Sequence, residues 1–265
     1  MLFDIGDGLT FQYQGIAALL IVWQSTTTDT SLSFPPPTES LRAIARLHRE
    51  GLLAPAITQT LGTYVLGLTL ATVIGAAVGV AIGASRRVDL ALTPSIDFAA
   101  AIPGAALVPV AVLLLGPSLI SGVAVVALIV SWPILLNAAM AMRSVPAVRL
   151  EMSRTMGLSP VQRWGKVVLP SLAPGIMLGV RVASSMALII TLLVGILGAG
   201  AGIGRLLVEG QQRFDASAAW GLLFIIGTFG YLTTVFLMWA EQRVGIPAEP
   251  DRPGNRPPAA CRMWS

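Results

Sequence analysis

The chain has 265 residues, of which 55% are hydrophobic and 11% are charged, and its mean hydropathy is +0.78. A water-soluble globule of this size needs more polar surface than these residues supply, so the composition indicates an integral membrane protein. The formal net charge of +4 does not indicate nucleic-acid binding, because the basic residues are scattered and form no basic face with interleaved aromatic residues.

Residues 1–55 contain one short apolar stretch followed by an amphipathic segment. Phe11 to Trp23 predicts a first membrane span, but its apolar core begins only at Ile16, so a helix that lies on the membrane surface or is partly buried is an open alternative. Met1 to Gly15 contains no Lys or Arg, which argues against a cleaved secretory signal. The sequence therefore predicts an uncleaved N-terminal helix at the membrane.

Thr38 to Glu50, which follows Phe34-Pro-Pro-Pro37, has the periodicity of an amphipathic helix. Apolar residues recur at helical spacing on one side of it, and arginines lie opposite. The apolar positions are Leu41, Ile44 (or Ala45) and Leu47, and the arginines are Arg42, Arg46 and Arg49. The pattern predicts a helix lying along the outer face of the membrane.

Residues 56–244 predict a core of five membrane-spanning helices. A hydrocarbon layer about 30 Å thick needs roughly 20 apolar residues per helix, and five segments meet that length. They are Ile57 to Ala84, Ile96 to Leu115, Leu119 to Met142, Leu172 to Leu197 and Ala218 to Ala240. Together with the first span, they predict an all-α integral membrane protein with about six transmembrane helices.

The distribution of basic residues predicts the orientation, because Lys and Arg in short loops concentrate on the cytoplasmic side. With six spans and a cytoplasmic N-terminus, eleven of the 17 basic residues fall on one side and five on the other, while Arg181 lies within a span. The side with eleven is the predicted cytoplasm. It also receives residues 245–265, whose five prolines predict a disordered tail that carries the only cysteine, Cys261.

The cytoplasmic loop at residues 143–170 contains a short amphipathic helix. Starting from Val145, the residues Val148, Met152 and Met156 recur at helical steps and line one face, while Arg149, Ser153 and Arg154 point away from that face. The pattern indicates an apolar surface that another element or protein covers. An ordinary amphipathic loop between spans is the alternative.

The same loop contains the signals that end one helix and begin another. Pro146 suits the first turn of the first helix, and Gly157 suits its C-terminal cap, where a left-handed residue is needed. Ser159-Pro-Val-Gln162 has the form of a capping box, so a second helix is predicted to start at once. Leu169-Pro170 then leads back into the membrane, and the whole loop is predicted to be a compact protrusion.

A motif in this loop resembles that of a known family. Glu151-Met-Ser-Arg-Thr-Met-Gly157 is followed, after nine residues, by Val167-Val-Leu169-Pro170. The layout is similar to the EAA loop of the membrane-spanning permeases of bacterial ABC importers, with Met152 and Ser153 in place of the two alanines after the Glu. The resemblance implies the type I ABC importer permease fold, in which this loop inserts into a groove on a separate ATPase subunit.

The resemblance assigns roles in ATPase coupling to six residues of the loop. Gly157 is implied to make the turn, and Glu151 to make a polar or ionic contact that fixes the docked loop. The other implied coupling residues are Met152, Met156, Leu169 and Pro170. The family further implies a cytoplasmic ATPase dimer that holds ATP and Mg, a second permease copy, an extracytoplasmic solute-binding protein, and location in the bacterial inner membrane with both termini in the cytoplasm. No cofactor or metal is expected in this chain.

A narrower resemblance extends from about Pro35 to Glu241 and is to permeases for nitrate, taurine, alkanesulfonates and related small solutes. Its motifs are Phe34-Pro-Pro-Pro, Ile102-Pro-Gly-Ala-Ala-Leu-Val-Pro109, Leu169-Pro-Ser-Leu-Ala-Pro-Gly175, Gly179-Val-Arg181-Val-Ala and Gly200-Ala-Gly-Ile-Gly204. These permeases often have an acidic residue near the outer end of the fifth span, and Thr191 to Gly200 contains none. A pyrimidine-type vitamin precursor or another small organic ion therefore stays open as a substrate.

Several residues inside the predicted spans have both a functional and a structural interpretation. Arg181 either faces a pathway for anions or reaches the cytoplasmic interface as a structural residue. Pro103 and Pro109 are expected to interrupt the third span, which either shapes the pathway or only kinks the packing. Gly75, Gly79 and Gly83 line one helix face and predict a close helix contact, within the chain or with a second copy.

Three other function classes fit less well. An intramembrane enzyme is disfavoured because the only histidine, His48, lies in the outer amphipathic segment, so no catalytic residues are predicted. The chain is not expected to be the ATPase itself, because Lys166 is followed by Val167 and no phosphate-binding Gly-rich loop is present. A passive channel remains the alternative, although a channel has no need for the protrusion at residues 143–170.

Overall fold

The computed structural model describes residues 22–27, 34–198 and 202–243, and every regular element within these ranges is helical. The predicted tail at 245–265 and most of the predicted first span lie outside the described residues. Residues 22–26, at the end of that span, are helical. The interpretation of residues 11–23 as a complete membrane span therefore stays a prediction.

Ten α-helices follow in chain order within the described ranges after residue 34. They are α1 (Pro37–Arg49), α2 (Leu53–Ala84), α3 (Arg86–Ala100), α4 (Gly104–Leu115), α5 (Leu119–Arg143), α6 (Ala147–Thr155), α7 (Pro160–Arg163), α8 (Leu169–Ile196), α9 (Ile203–Gln212) and α10 (Ala216–Arg243). A π-helical turn, Trp164–Val168, joins α7 to α8 without a break.

Four of these helices are long and apolar enough to cross a membrane, and the sequence predicted all four. They are α2, α5, α10 and the continuous segment Pro160–Ile196, which includes α8. At 1.5 Å per residue, the 32 residues of α2 extend about 48 Å. A fifth span is present if α3 and α4 together count as one broken span.

The predicted span Ile96 to Leu115 is interrupted, as expected, at Pro103. Helix α3 ends at Ala100, α4 starts at Gly104, and the two helices meet at an angle of 89°. The break lies at Pro103, which has no N–H to donate and which disfavours a helical conformation at the residue before it. Pro109 was also expected to interrupt this span, but α4 continues through it to Leu115.

The close contact predicted for the glycines of α2 is made within the chain, against α5. A Cβ atom added at Gly75 would lie 2.7 Å from the carbonyl oxygen of Ser131, and one at Gly83 would lie 2.6 Å from that of Ala139. The backbones of α2 and α5 therefore approach each other as closely as glycine allows. Around this contact, α2, α5 and α8 enclose the main hydrophobic core, whose fully buried members include Ala71, Val126, Val130, Ile134, Ala183 and Ala187.

The predicted amphipathic helix is present as α1, although its buried face is rotated from the predicted one. Ala43 and Leu47 are buried in a cluster with residues of α9 and α10, whereas Leu41 is exposed. The face is set by Gly221 of α10, where an added Cβ would lie 2.8 Å from the carbonyl oxygen of Ser40. This close approach brings the Ser40–Ala43–Leu47 side of α1 against α10.

Candidate functional site

The protrusion at residues 143–170 contains a sharp, fully hydrogen-bonded turn at the end of α6. Gly157 has φ +72°, a left-handed conformation that costs a residue with a Cβ atom about 1–2 kcal/mol. The N–H of Gly157 donates to the carbonyl of Arg154 (3.0 Å), and the N–H of Leu158 donates to that of Ser153 (3.2 Å). This pair of bonds is the Schellman motif, which ends a helix by satisfying its last carbonyls. The predicted glycine cap is thus confirmed.

The chain restarts at Ser159 with the predicted capping box. The backbone N–H of Gln162 donates to Oγ of Ser159 (3.3 Å), and the backbone N–H of Ser159 donates to Oε1 of Gln162 (3.1 Å). Both donors at the start of α7 are therefore satisfied by side chains. With the glycine turn on one side and this cap on the other, residues 153–162 have a locally determined conformation.

The inner side of the protrusion is polar and rests against the membrane helices. Ser153 is buried, and its hydroxyl donates to the carbonyl of Leu150 at 2.6 Å. Nη1 of Arg149 donates to Oγ of Ser171 at 2.9 Å, which connects α6 to the first turn of α8. Helix α6 is therefore braced against the helix that re-enters the membrane.

The outer side of α6 is apolar and exposed. Val148, Met152 and Met156, which we call the α6 apolar face, have 64%, 60% and 75% of their surface exposed. Glu151 is also exposed, so its carboxylate is available beside the apolar face. Adjacent apolar side chains left uncovered on a loop outside the long apolar helices are typical of a surface that binds another protein.

Leu169 and Pro170 begin α8, and the path of the chain there differs from the simple re-entry that the sequence predicts. Both residues are exposed, and the N–H of Leu169 donates to the carbonyl of Trp164, five residues back. Because Pro170 has no N–H, it cannot donate the usual helical hydrogen bond to the carbonyl four residues before it. The helix accommodates this with a π-helical turn at Trp164–Val168, which the sequence analysis missed.

The three residues predicted to line a pathway lie on two helices that pack together. Arg181 is in α8, twelve residues and therefore about 18 Å along the axis from Leu169, and it is exposed on the single chain. Pro103 lies at the bend between α3 and α4, and Pro109 lies within α4. Helix α4 contacts both α5 and α8. The bend and the arginine therefore belong to neighbouring helices.

An ion pair connects the start of α3 to the end of α5 at the base of the protrusion. Nη2 of Arg143 lies 2.8 Å from Oδ1 of Asp89, and Oγ1 of Thr93 donates to the same carboxylate oxygen at 2.9 Å. The pair is partly exposed, so it contributes little to stability. It does fix the position of α3 relative to the helix that leads into the loop.

A second polar region, which the sequence analysis missed, lies between α2, α8 and the start of α9. We call it the threonine pocket, a cavity of about 10 Å³ whose lining includes Gln59, Thr60, Thr63, Thr191, Gly195 and Gly202. The N–H of Ile203 donates to Oγ1 of Thr60 at 2.9 Å. Thr60 and Thr63, three residues apart on one face of α2, are the sequence signal that could have indicated it. Within the described ranges, no group of three His, Cys, Asp or Glu residues is placed to hold a metal ion.

Comparison with known proteins gives a consistent result. The model of the family described as "binding-protein-dependent transport system inner membrane component" matches residues 71–246. The bicarbonate transport system permease protein CmpB of Synechococcus elongatus is 27% identical over 248 residues, which cover 89% of each chain. The putative aliphatic sulfonates transport permease protein SsuC of Bacillus subtilis is 24% identical over 231 residues, covering 86% of this chain and 84% of that protein.

Among solved structures, a chain of the inward-facing MetNI methionine ABC transporter has the same fold. The TM-score is 0.66 at 21% sequence identity, and the match covers 74% of this chain and 97% of that chain. The predicted all-α membrane fold is thereby confirmed.

Proposed function

Because the chain belongs to the family of binding-protein-dependent transport system inner membrane components, we propose that it is the permease subunit of an ATP-driven importer for a small oxyanion. In this proposal the chain pairs with a second copy, two cytoplasmic ATPase subunits bind below the pair, and a solute-binding protein delivers the solute from outside. ATP and Mg are held by the ATPase, and this chain carries no cofactor. The protein lies in the bacterial inner membrane with both termini in the cytoplasm.

The exposed α6 apolar face is the observation that carries the ATPase coupling. Three large apolar side chains, Val148, Met152 and Met156, are presented to solvent on a protrusion whose turn and cap are fully hydrogen-bonded. Exposed apolar surface of this kind gains free energy when a partner covers it. An ATPase groove is the occupant that the family supplies, with Glu151 making the polar contact that fixes the docked position.

The bracing of α6 explains how movement of the ATPase reaches the membrane. Arg149 bonds to Ser171 at the start of α8, and α5 leads into the loop through Arg143. A displacement of the docked α6 therefore moves the cytoplasmic ends of α5 and α8. These helices share one hydrophobic core with α2, so they tilt as a packed unit and expose the pathway alternately to either side.

Two observations favour an oxyanion as the solute. The relatives reported above are named for bicarbonate and aliphatic sulfonates, and both solutes are small oxyanions. Arg181 places a permanent positive charge about midway along α8, where a charged side chain would be expensive in lipid unless it faces protein or water. We propose that Arg181 faces the pathway together with the bend at Pro103 and the helix that carries Pro109. A sulfonate, nitrate, taurine or bicarbonate ion fits this chemistry.

The test is co-purification of the ATPase with glycine variants of the permease. Gly157→Asp places a charged side chain at a left-handed position of the protrusion, and we expect the ATPase to be lost from the purified complex. Gly51→Asp is the matched control, because Gly51 has φ +73° and, like Gly157, open space around it, but it follows α1, which the sequence predicts to lie on the outer side of the membrane. The control complex should retain the ATPase.

A contrary result has a clear meaning. If the wild-type chain purifies without an ATPase and moves solute across liposomes without ATP, the importer assignment fails and a passive channel replaces it. If Gly157→Asp retains the ATPase as Gly51→Asp does, the protrusion is not the coupling element.

A further inference from the structure

The threonine pocket contains a buried hydroxyl group that has no partner in the described part of the protein. Thr191 on α8 is 4% exposed, and its Oγ1 makes no hydrogen bond to any described residue. Leaving a buried hydroxyl unpaired costs free energy, so such groups normally have a partner, whether protein, water or ligand. The residue lines the pocket, which makes the pocket the place for that partner.

The neighbouring hydroxyl group is also set to donate into this region. Oγ1 of Thr60 accepts the N–H of Ile203 at 2.9 Å. Because a hydroxyl has one proton and two lone pairs, this bond occupies an acceptor position and leaves the Thr60 proton for another group. Thr60, Thr63 and Thr191 together give the pocket three hydroxyl donors, and the amide of Gln59 adds another.

The electrostatics of the pocket favour the oxygen of an anion over a cation. None of the described side chains that line it is charged, so these residues offer no carboxylate to hold a metal ion. Helix α9 begins here: Gly202 is its N-cap and has no side chain to cap the helix, and the first N–H of the helix, from Ile203, is accepted by the hydroxyl of Thr60. The ten-residue helix adds the positive end of its dipole to the donors around Thr191.

The size of the pocket limits the ligand to one oxygen atom at this point. A volume of about 10 Å³ accommodates about one water-sized group. Gly195, however, also lines an adjoining cavity of about 310 Å³ that contains Arg205, Glu209 and Gln212. The bond from Nε of Arg205 to Oε1 of Glu209 (2.8 Å) uses one of the five N–H donors of that guanidinium group.

We propose that the threonine pocket binds one oxygen atom of a small oxyanion, with the rest of the ion in the adjoining cavity beside Arg205. Thr191 and Thr60 donate to that oxygen. In the proposed orientation Thr60 and Thr191 lie within about 10 Å of the outer ends of α2 and α8, so the pocket is a binding site on the outer side of the pathway. This inference rests on the proposed function and specifies the kind of solute that it transports.

The test measures oxyanion binding by the purified permease–ATPase complex in nanodiscs without the solute-binding protein. Nitrate, bicarbonate and ethanesulfonate are titrated in turn against chloride at equal ionic strength, and the midpoint temperature of unfolding is followed, since a ligand of the native state raises it. We expect stabilisation by at least one oxyanion over chloride. Thr191→Val should raise the half-saturating concentration of that oxyanion about 12- to 160-fold, the value of one hydrogen bond to a charged group.

Three further variants separate a binding role from a structural one. Thr191→Ser keeps the hydroxyl and should bind like the wild type. Thr72→Val is the matched control, because the hydroxyl of Thr72 donates to the carbonyl of Leu68 in its own helix and lies outside the pocket. Gly202→Ala should weaken binding without removing a donor, since its methyl group would lie 2.7 Å from Oγ1 of Thr60.

The outcomes distinguish the pocket from the importer assignment. If the wild-type complex hydrolyses ATP but no oxyanion stabilises it more than chloride does, oxyanion binding in the threonine pocket is refuted and the importer assignment stands. The pocket is also refuted if Thr191→Val binds as the wild type does, or if Thr72→Val weakens binding equally. If no ATPase co-purifies with the wild-type chain, the proposed function fails and the inference that rests on it fails too.

Discussion

Shortening two methionines of the α6 apolar face should weaken binding of the ATPase strongly. Full burial of a methionine side chain is worth about 1.5–3 kcal/mol. Met152 and Met156 have 60% and 75% of their surface left to bury, and alanine retains part of the side chain. Each Met→Ala change should therefore cost about 1–1.5 kcal/mol of binding free energy. The double variant should raise the dissociation constant for the ATPase about 30- to 150-fold if the two effects add.

The assay is titration of the separately purified ATPase onto permease in nanodiscs. Alanine favours the helical conformation at least as much as methionine, so α6 should stay folded. Leu41→Ala is the matched control, because Leu41 is 62% exposed but lies on α1, away from the protrusion, and its removal should leave the dissociation constant unchanged. If the double methionine variant binds the ATPase as tightly as the wild type, the α6 apolar face is not the docking surface, and the reasoning from its exposure is refuted.

Two other predictions concern the membrane helices. Gly79→Ala should lower the free energy of unfolding by about 1–3 kcal/mol, because the added methyl would press on the carbonyl of Leu135 and lie 2.8 Å from Cβ of Ala138. Gly227→Ala is the control and should leave it unchanged, because Gly227 has open space around it. Equal melting temperatures of the two variants in detergent would contradict this prediction. Arg181→Ala should reduce ATP-driven oxyanion uptake at least tenfold while the complex keeps its ATPase, and unchanged uptake in proteoliposomes would show that Arg181 is structural.

The features that the sequence predicted correctly are those decided within a few residues. Gly157 ends α6 because its left-handed conformation is a local requirement, and Ser159 begins α7 because its side chain satisfies a donor three residues on. The four long spans are also local in this sense, since each is a continuous run of apolar residues. Neither kind of signal depends on what the rest of the chain does.

The errors arose where packing partners decide the outcome. Pro103 and Pro109 carry the same local penalty, yet only Pro103 breaks the helix. Leu41 continues the apolar spacing of α1 but is exposed, because the approach of α1 to Gly221 fixes which side is covered. Periodicity identified the helix but could not identify the neighbour against which the helix would pack.

The threonine pocket shows why part of the candidate site was out of reach of the sequence. Thr60 and Thr191 are 131 positions apart, and each taken alone is an ordinary hydroxyl residue that could bond to its own helix, as Thr72 does. Their role is recognisable only beside the start of α9, where the N–H of Ile203 donates to the hydroxyl of Thr60. The hydroxyl of Thr191 then has no partner among the described residues. The turn and the cap of the protrusion at residues 143–170 are encoded by nearby residues, because their hydrogen bonds are made within residues 153–162. A site inside the bundle is encoded by residues from several helices, and it becomes visible only when those helices are assembled.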